Sequence, residues 1–525
     1  MDLIIRNGRV FDGSGNPWFR TDIRVEDGKI TEIGNLRGSR SDKTIDASRL
    51  IVCPGFIDIH SHSDIQLIIN PTMDSKIYQG VTTELNGNCG HSPCPLIGLD
   101  VKRLRYYSIM EKLKVKPWST TREYLDTLKT RCHATNTATL MGYVNIRVPV
   151  LGMESNEPDD KELSLMKSLV AQGMEDGLFG LSTGLFYPPN SFATTDELTE
   201  LCRVVAEFDG VYVTHIRGAG KTLVEAIEEA IKIGEESGVR VQCVHHKAYG
   251  KNYSYKIPIT LNLIEEARVR GVDVSIDVYP YIRDSGNFTG WLPSWAHAGG
   301  SDELLKRLKD KKIRDRIKRE IYNKIEDPGT LISTSILTSL QRRPELSGKK
   351  IAELAEERDV ETIDYAIELL IEEEGLGVGI SSEFGFEKDL KMILQNPNSM
   401  IGSDGSGVSV NVKEWTHPRN YGTYARLLGR YVRDKGTLTL QEAIRKCTSF
   451  PAQRLGLKER GLIREGMWAD ITIFDYEKIR DNYSLTNPAQ YAEGVEYVLV
   501  NGTIVLNKGK HTGKLPGKTL LLGKS

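Results

Sequence analysis

Hydrophobic and polar positions follow two different styles along the chain. Residues 1–50 hold short β-like runs, Leu3-Ile-Ile-Arg6, Asp22-Ile-Arg-Val25 and Lys29-Ile-Thr-Glu-Ile33, separated by Asn7-Gly8 and Asp27-Gly28, both strong hairpin signals. The style returns from about Gly461, in Ala469-Asp-Ile-Thr-Ile-Phe474, Val495-Glu-Tyr-Val-Leu-Val500 and Asn501-Gly502. Two β-rich ends around a long middle predict one small β domain built from residues 1–50 and 461–525.

The middle, 51–460, alternates strand-like runs with helical periodicity. Strands are predicted to begin near Ile51, Val81, Ala138, Leu178, Val211, Val239, Val272 and Ser399. Helices are clearest at 226–236 and 440–446, where apolar residues recur near the 3.6 period. Eight βα units predict an α/β fold, a (β/α)8 TIM-type barrel. The interval between strands seven and eight is too long for one helix. It predicts an inserted subdomain at about 284–345, followed by a helical stretch over 349–374. Trp291, Trp295 and Tyr281 are candidates to shape a pocket there, or to form the subdomain's core.

Composition narrows the setting. The chain has 525 residues, 39% hydrophobic and 27% charged, with 69 basic against 71 acidic residues. A net charge of −2 gives no field to gather nucleic acid or a membrane surface. The N-terminus lacks a signal-like apolar stretch, and no run reaches the ~18 apolar residues of a membrane span. The expected location is the cytoplasm. Seven scattered cysteines read as reduced thiols rather than a disulfide framework.

Candidate chemistry then falls at the ends of the predicted strands, where barrels carry function. The first run ends in His60-Ser-His62, two imidazoles spaced i, i+2 and so on one face. The second leads into Gly87-Asn-Cys-Gly90, where glycines let the backbone turn and aim Cys89. The fifth ends in His215, the sixth in His245-His-Lys247, and the eighth in Asp404-Gly405. Singly, each has a bland reading: a buried thiol, a core histidine, a turn aspartate. Together they predict a metal site, and the thiolate and imidazole donors favour zinc.

These residues resemble the amidohydrolase superfamily, and within it the D-aminoacylase, or N-acyl-D-amino-acid deacylase, family. The resemblance runs along nearly the whole chain. It includes Pro54-Gly-Phe-Ile-Asp-Ile-His-Ser-His-Ser-Asp64, Gly87-Asn-Cys-Gly90, Gly180-Leu-Ser-Thr-Gly-Leu-Phe-Tyr-Pro188, Thr214-His-Ile-Arg217, His245-His-Lys247, Asp277-Val-Tyr-Pro-Tyr281, Gly402-Ser-Asp-Gly405 and His417-Pro-Arg419. It implies zinc-dependent hydrolysis of N-acyl-D-amino acids, giving a carboxylate and a free D-amino acid. Cys89, His215 and His245 would hold one tightly bound zinc; His60, His62 and Asp404 would line a second, weaker site. Asp404 would be the general base and acid, taking a proton from the attacking water and delivering one to the leaving amine. Tyr187, Lys247, Tyr279, Ser285 and Arg419 would hold the substrate, the two cations suiting a carboxylate. His246 is read as packing behind its strand.

Departures cluster near the expected mouth. Arg217-Gly-Ala-Gly220 lacks the acidic residue often found after this Arg, and His91 and Cys94 stand where apolar or small residues are common. His91 either meets the substrate side chain or bonds its loop, the second being preferred. Two other readings compete. A cyclic-amide hydrolase resembling hydantoinases or dihydroorotases shares the fold, but generally bridges two metals with a carboxylated lysine. A non-catalytic scaffold usually loses ligands or the strand-eight aspartate.

Overall fold

Gly55 divides the apolar run that opens the barrel. In the computed structural model, which describes residues 2–96, 113–324, 328–375 and 377–524, Ile51–Pro54 belongs to one sheet and Phe56–Asp58 to another. The single strand expected from Ile51 to Ile59 is therefore two. A Cβ on Gly55 would fall on the Thr82 side chain, so only glycine allows the chain to cross there.

Ile51–Pro54 pairs parallel with Leu3–Val10 and antiparallel with Ile471–Phe474. It thus stitches the N-terminal and C-terminal strands into one nine-stranded sheet. The apolar side chains of that sheet, among them Leu3, Ile5, Val25, Ile471 and Leu499, form their own buried cluster.

The barrel strands are Phe56–Asp58, Val81–Asn86, Asn136–Thr139, Gly180–Gly184, Val211–His215, Arg240–Cys243, Val274–Val278 and Ser399–Ile401. All their pairings are parallel. The third is interrupted at Leu140: Asn136–Thr139 pairs with the second strand, and Met141–Gly142 with the fourth. The ring closes between the first and eighth strands through the Ser61–Gly405 bridge. There Asp404 N donates to His60 O at 2.8 Å and His62 N to Gly405 O at 2.9 Å. The helices wrap as their periodicity predicts; Leu223–Ser237 buries Ala226, Ile227, Ala230, Ile231 and Ile233. No described helix is long and apolar enough to cross a membrane.

Between strands seven and eight, the inserted segment builds a three-stranded sheet from Gly286–Asn287, Ile336–Leu337 and Gly379–Ser381. Helices Ile351–Glu356 and Thr362–Glu372 share one apolar core with Phe288, Trp291 and Leu304. The insertion thus runs on to about residue 381 instead of ending near 345. The apolar face of those helices needs that core to cover it.

Beneath the closure lies a buried ionic network. Lys76 Nζ is 2.6 Å from Asp58 Oδ2 and 3.5 Å from Glu84 Oε2, all three side chains being fully buried. It also donates to Ser403 Oγ at 2.8 Å and Gly405 O at 3.0 Å, gripping the residues on either side of Asp404. Lys76→Met is expected to leave two buried carboxylates uncompensated and to cost about 3–5 kcal/mol of stability. Urea unfolding of the purified variant measures this. A loss below ~1 kcal/mol would mean that the network contributes little.

Candidate active site

Each candidate ligand leaves the C-terminal end of a barrel strand, and three do so in the left-handed region: Cys89 at φ 54°, His245 at φ 36° and Asp404 at φ 49°. Non-glycine residues adopt such angles at a cost, so neighbours must hold them. Asp404 is tied through its N–H to His60 O, and His245 through its N–H to Asp277 Oδ1 at 2.8 Å.

Six side chains converge. Cys89 Sγ lies 3.5 Å from His60 Nε2, and 3.8 Å from both His215 Nδ1 and His245 Nε2. The last two nitrogens are 2.9 Å apart. Asp404 Oδ1 is 3.4 Å from His60 Nε2 and 3.1 Å from His62 Nε2. These atoms form two groups able to hold a metal, His60–His62–Cys89–Asp404 and Cys89–His215–His245, sharing the thiol. In a tetrahedral zinc site, bond lengths of ~2.0 and ~2.3 Å put donors about 3.3–3.6 Å apart. The spacings found here fall around that value, so the donor set fits zinc.

Electrostatics favour the ligating form at Cys89, Asp404 and His245, and the charged form at His60 and His62. Burial pushes the Cys89 thiol up, yet His60, His215 and His245 outweigh it and hold the thiol well below its ordinary value. Burial lowers His60 and His62, but Asp277, Asp404 and Cys89 raise His60, while Asp404 and Cys89 carry His62 to about 9. Asp404 is raised by burial and lowered further by Arg419, His60 and His62, ending well below the usual carboxylate range. His245 stays well below the ordinary imidazole value through burial, Lys247 and His215. A neutral imidazole is the form that ligates.

A cavity of about 360 Å³ opens over this cluster, lined by His62, Cys89, His215, His245 and Asp404. Tyr187, Lys247, Ser285 and Arg419 line it too. Arg419 Nη1 lies 2.6 Å from Asp404 Oδ2. Tyr279, the fifth expected substrate contact, is 1% exposed and stands behind the wall. Its hydroxyl accepts from Lys247 Nζ at 3.0 Å, so it orients the lysine and does not face the cavity.

His246 is buried against the helix Lys256–Val269, its Nε2 2.9 Å from Thr260 Oγ1, and burial pushes it down to about 4. His91 lines the cavity mouth, and among the described residues no hydrogen bond from its ring to the loop is found. Arg217 finds the carboxylate its neighbours lack in Glu229, 2.8 Å away. Trp291 lines the cavity, whereas Trp295 packs on the insertion's core and Tyr281 on His417.

One residue at the site was assigned no role from sequence. Asp277, fully buried at the end of strand seven, faces His60 Nδ1 at 3.2 Å and accepts from Gln242 Nε2 at 2.7 Å as well as from His245 N–H. It turns His60 Nε2 toward Cys89 and Asp404, as an outer carboxylate does for a metal-ligating histidine. Its position, one more acid on one more strand, was the available signal.

Comparison with known proteins agrees with this geometry. The model of a family described as the amidohydrolase family matches residues 43–308 and 376–506. A D-aminoacylase of Alcaligenes xylosoxydans xylosoxydans is 34% identical over 519 residues, 99% of this chain and 97% of the relative. An N-acyl-D-glutamate deacylase of the same organism is 32% identical over 523 residues, 99% and 96%. The crystal structure of an N-acyl-D-glutamate deacylase from Bordetella bronchiseptica, complexed with zinc and a phosphonate mimic of the tetrahedral intermediate, superposes with a TM-score of 0.85 at 30% identity, covering 99% of each chain. With so much of its length matched, the chain belongs to the amidohydrolase family, in its D-aminoacylase group.

Proposed function

We propose that the protein hydrolyses the amide bond of N-acyl-D-amino acids with zinc, releasing a carboxylate and a D-amino acid. The carrying observation is one thiol shared by two donor groups, at the foot of a cavity that also presents Lys247 and Arg419. Cys89, His215 and His245 would hold the tighter ion. His60, His62 and Asp404 would line the weaker site, Asp404 being already engaged by Arg419. Zinc bound there supplies Lewis-acid polarisation of a carbonyl and acidifies water.

The chain's own groups do the rest. Asp404, ionised and facing the cavity, accepts a proton from the attacking water and returns one to the leaving nitrogen. Lys247, steadied by the Tyr279 hydroxyl, binds the substrate carboxylate together with Arg419; Tyr187 and Ser285 offer hydroxyls beside it. Seven free thiols suit a reducing compartment, and we place the enzyme in the cytoplasm. Cys89 stands where a cyclic-amide hydrolase would generally carry a carboxylated lysine, and every expected ligand is present, which speaks against the scaffold.

The test is a zinc-loaded assay of N-acetyl, N-formyl and N-succinyl D- and L-amino acids, with hydantoin and dihydroorotate alongside. Turnover of the linear D-substrates is expected. Turnover of the cyclic amides alone would overturn the proposal.

A further inference from the structure

The charge of the substrate side chain is written into the cavity wall. This inference rests on the proposed reading, in which Lys247 and Arg419 serve the α-carboxylate. The remaining charged lining groups, apart from the metal-site cluster, are Arg217, Lys221 and Asp284. Arg217 is fully committed, to Glu229 and to the carbonyls of Ser191 at 3.0 Å and Ala193 at 2.9 Å. Lys221 is exposed at the rim, where water and salt weaken its field. Asp284 is half-buried and has no ion pair with any described residue; its Oδ1 accepts from Ser382 N at 2.8 Å. Around it the wall is Phe186, Trp291 and Ile380, with the buried Tyr249 hydroxyl beside the carboxylate.

We infer that Asp284 is a specificity-determining residue, rejecting N-acyl-D-amino acids with acidic side chains and admitting neutral and basic ones. A second carboxylate entering this space meets the Asp284 charge, while the two buried cations whose fields reach Asp284, Lys247 and Arg419, serve the α-carboxylate. Like charges a few ångströms apart in a partly desolvated site change rates by one to two decades. A neutral chain meets the aromatic and aliphatic wall, and a basic chain gains a partner.

Matched pairs separate charge from size: N-acetyl-D-glutamine against the isosteric N-acetyl-D-glutamate, and N-acetyl-D-lysine against N-acetyl-D-norleucine, which shares its methylene stem and lacks only the ammonium. The wild type is expected to favour glutamine over glutamate by about tenfold or more in kcat/KM. Asp284→Asn keeps the oxygen that accepts from Ser382 N and removes only the charge. It should shrink that ratio by about tenfold and lower the lysine-to-norleucine ratio in step. A merely structural Asp284 would lower all four substrates together and leave both ratios unchanged, which overturns the inference. So does a wild type that prefers glutamate, or a ratio moved by Lys221→Ala and not by Asp284→Asn. Failure to hydrolyse even the neutral D-substrates would instead sink the proposed function, and this inference with it.

Discussion

Asp404→Asn is expected to keep the tightly held zinc and to lose kcat by about two to four orders of magnitude. The metal survives because Cys89, His215 and His245 form a group that does not include Asp404. The rate falls because an amide accepts no proton from the attacking water and returns none to the leaving nitrogen. Substrate affinity should change less than kcat, since Lys247 and the cavity hydroxyls are untouched and, of the substrate-binding groups, only Arg419 loses its charged partner. The two quantities are separable: zinc per chain by elemental analysis, and kcat and KM from steady-state kinetics. A variant within tenfold of the wild-type kcat would show that another group moves the proton. One that had also lost its zinc would place Asp404 in the tight site.

How much of this was legible in the sequence depends on the distance over which each feature acts. The candidate donors could be read because strand and donor are neighbours: Val211–His215 carries its histidine as its last residue, and Ser399–Ile401 is followed within three residues by Asp404. The Ile51–Ile59 run misled because both of its halves are buried, one in each sheet, so hydropathy alone shows no seam. Gly55 was the mark, but its reason, contact with Thr82, lies in another strand. Asp277 orients His60 across 217 positions and Lys76 reaches Ser403 across 327, so neither role has a local signature. Tyr279 sits in a recognised motif, yet its side chain faces Lys247 and not the cavity, a matter of packing that no spacing reveals. The length of the insertion was underestimated for the same reason: amphipathic helices announce a buried face without naming its partner.

Cys89→Ala should abolish the tight site and the activity together. The thiol is the one ligand shared by both groups, and it carries the negative charge that lets imidazoles gather without repelling a cation. Removing it leaves only His215 and His245, two donors where a stable site needs three protein ligands. Alanine fits the space and faces the same φ of 54° as cysteine does, so the fold itself should survive. Metal and fold can therefore be told apart by thermal unfolding. Zinc binds the native state, so adding it should raise the wild-type midpoint, by an amount set by its concentration relative to Kd. The variant's midpoint should match that of chelator-treated wild type and should not respond to zinc. If zinc still stabilises Cys89→Ala as it does the wild type, the tight ion is held elsewhere, with His60, His62 and Asp404 the remaining candidates.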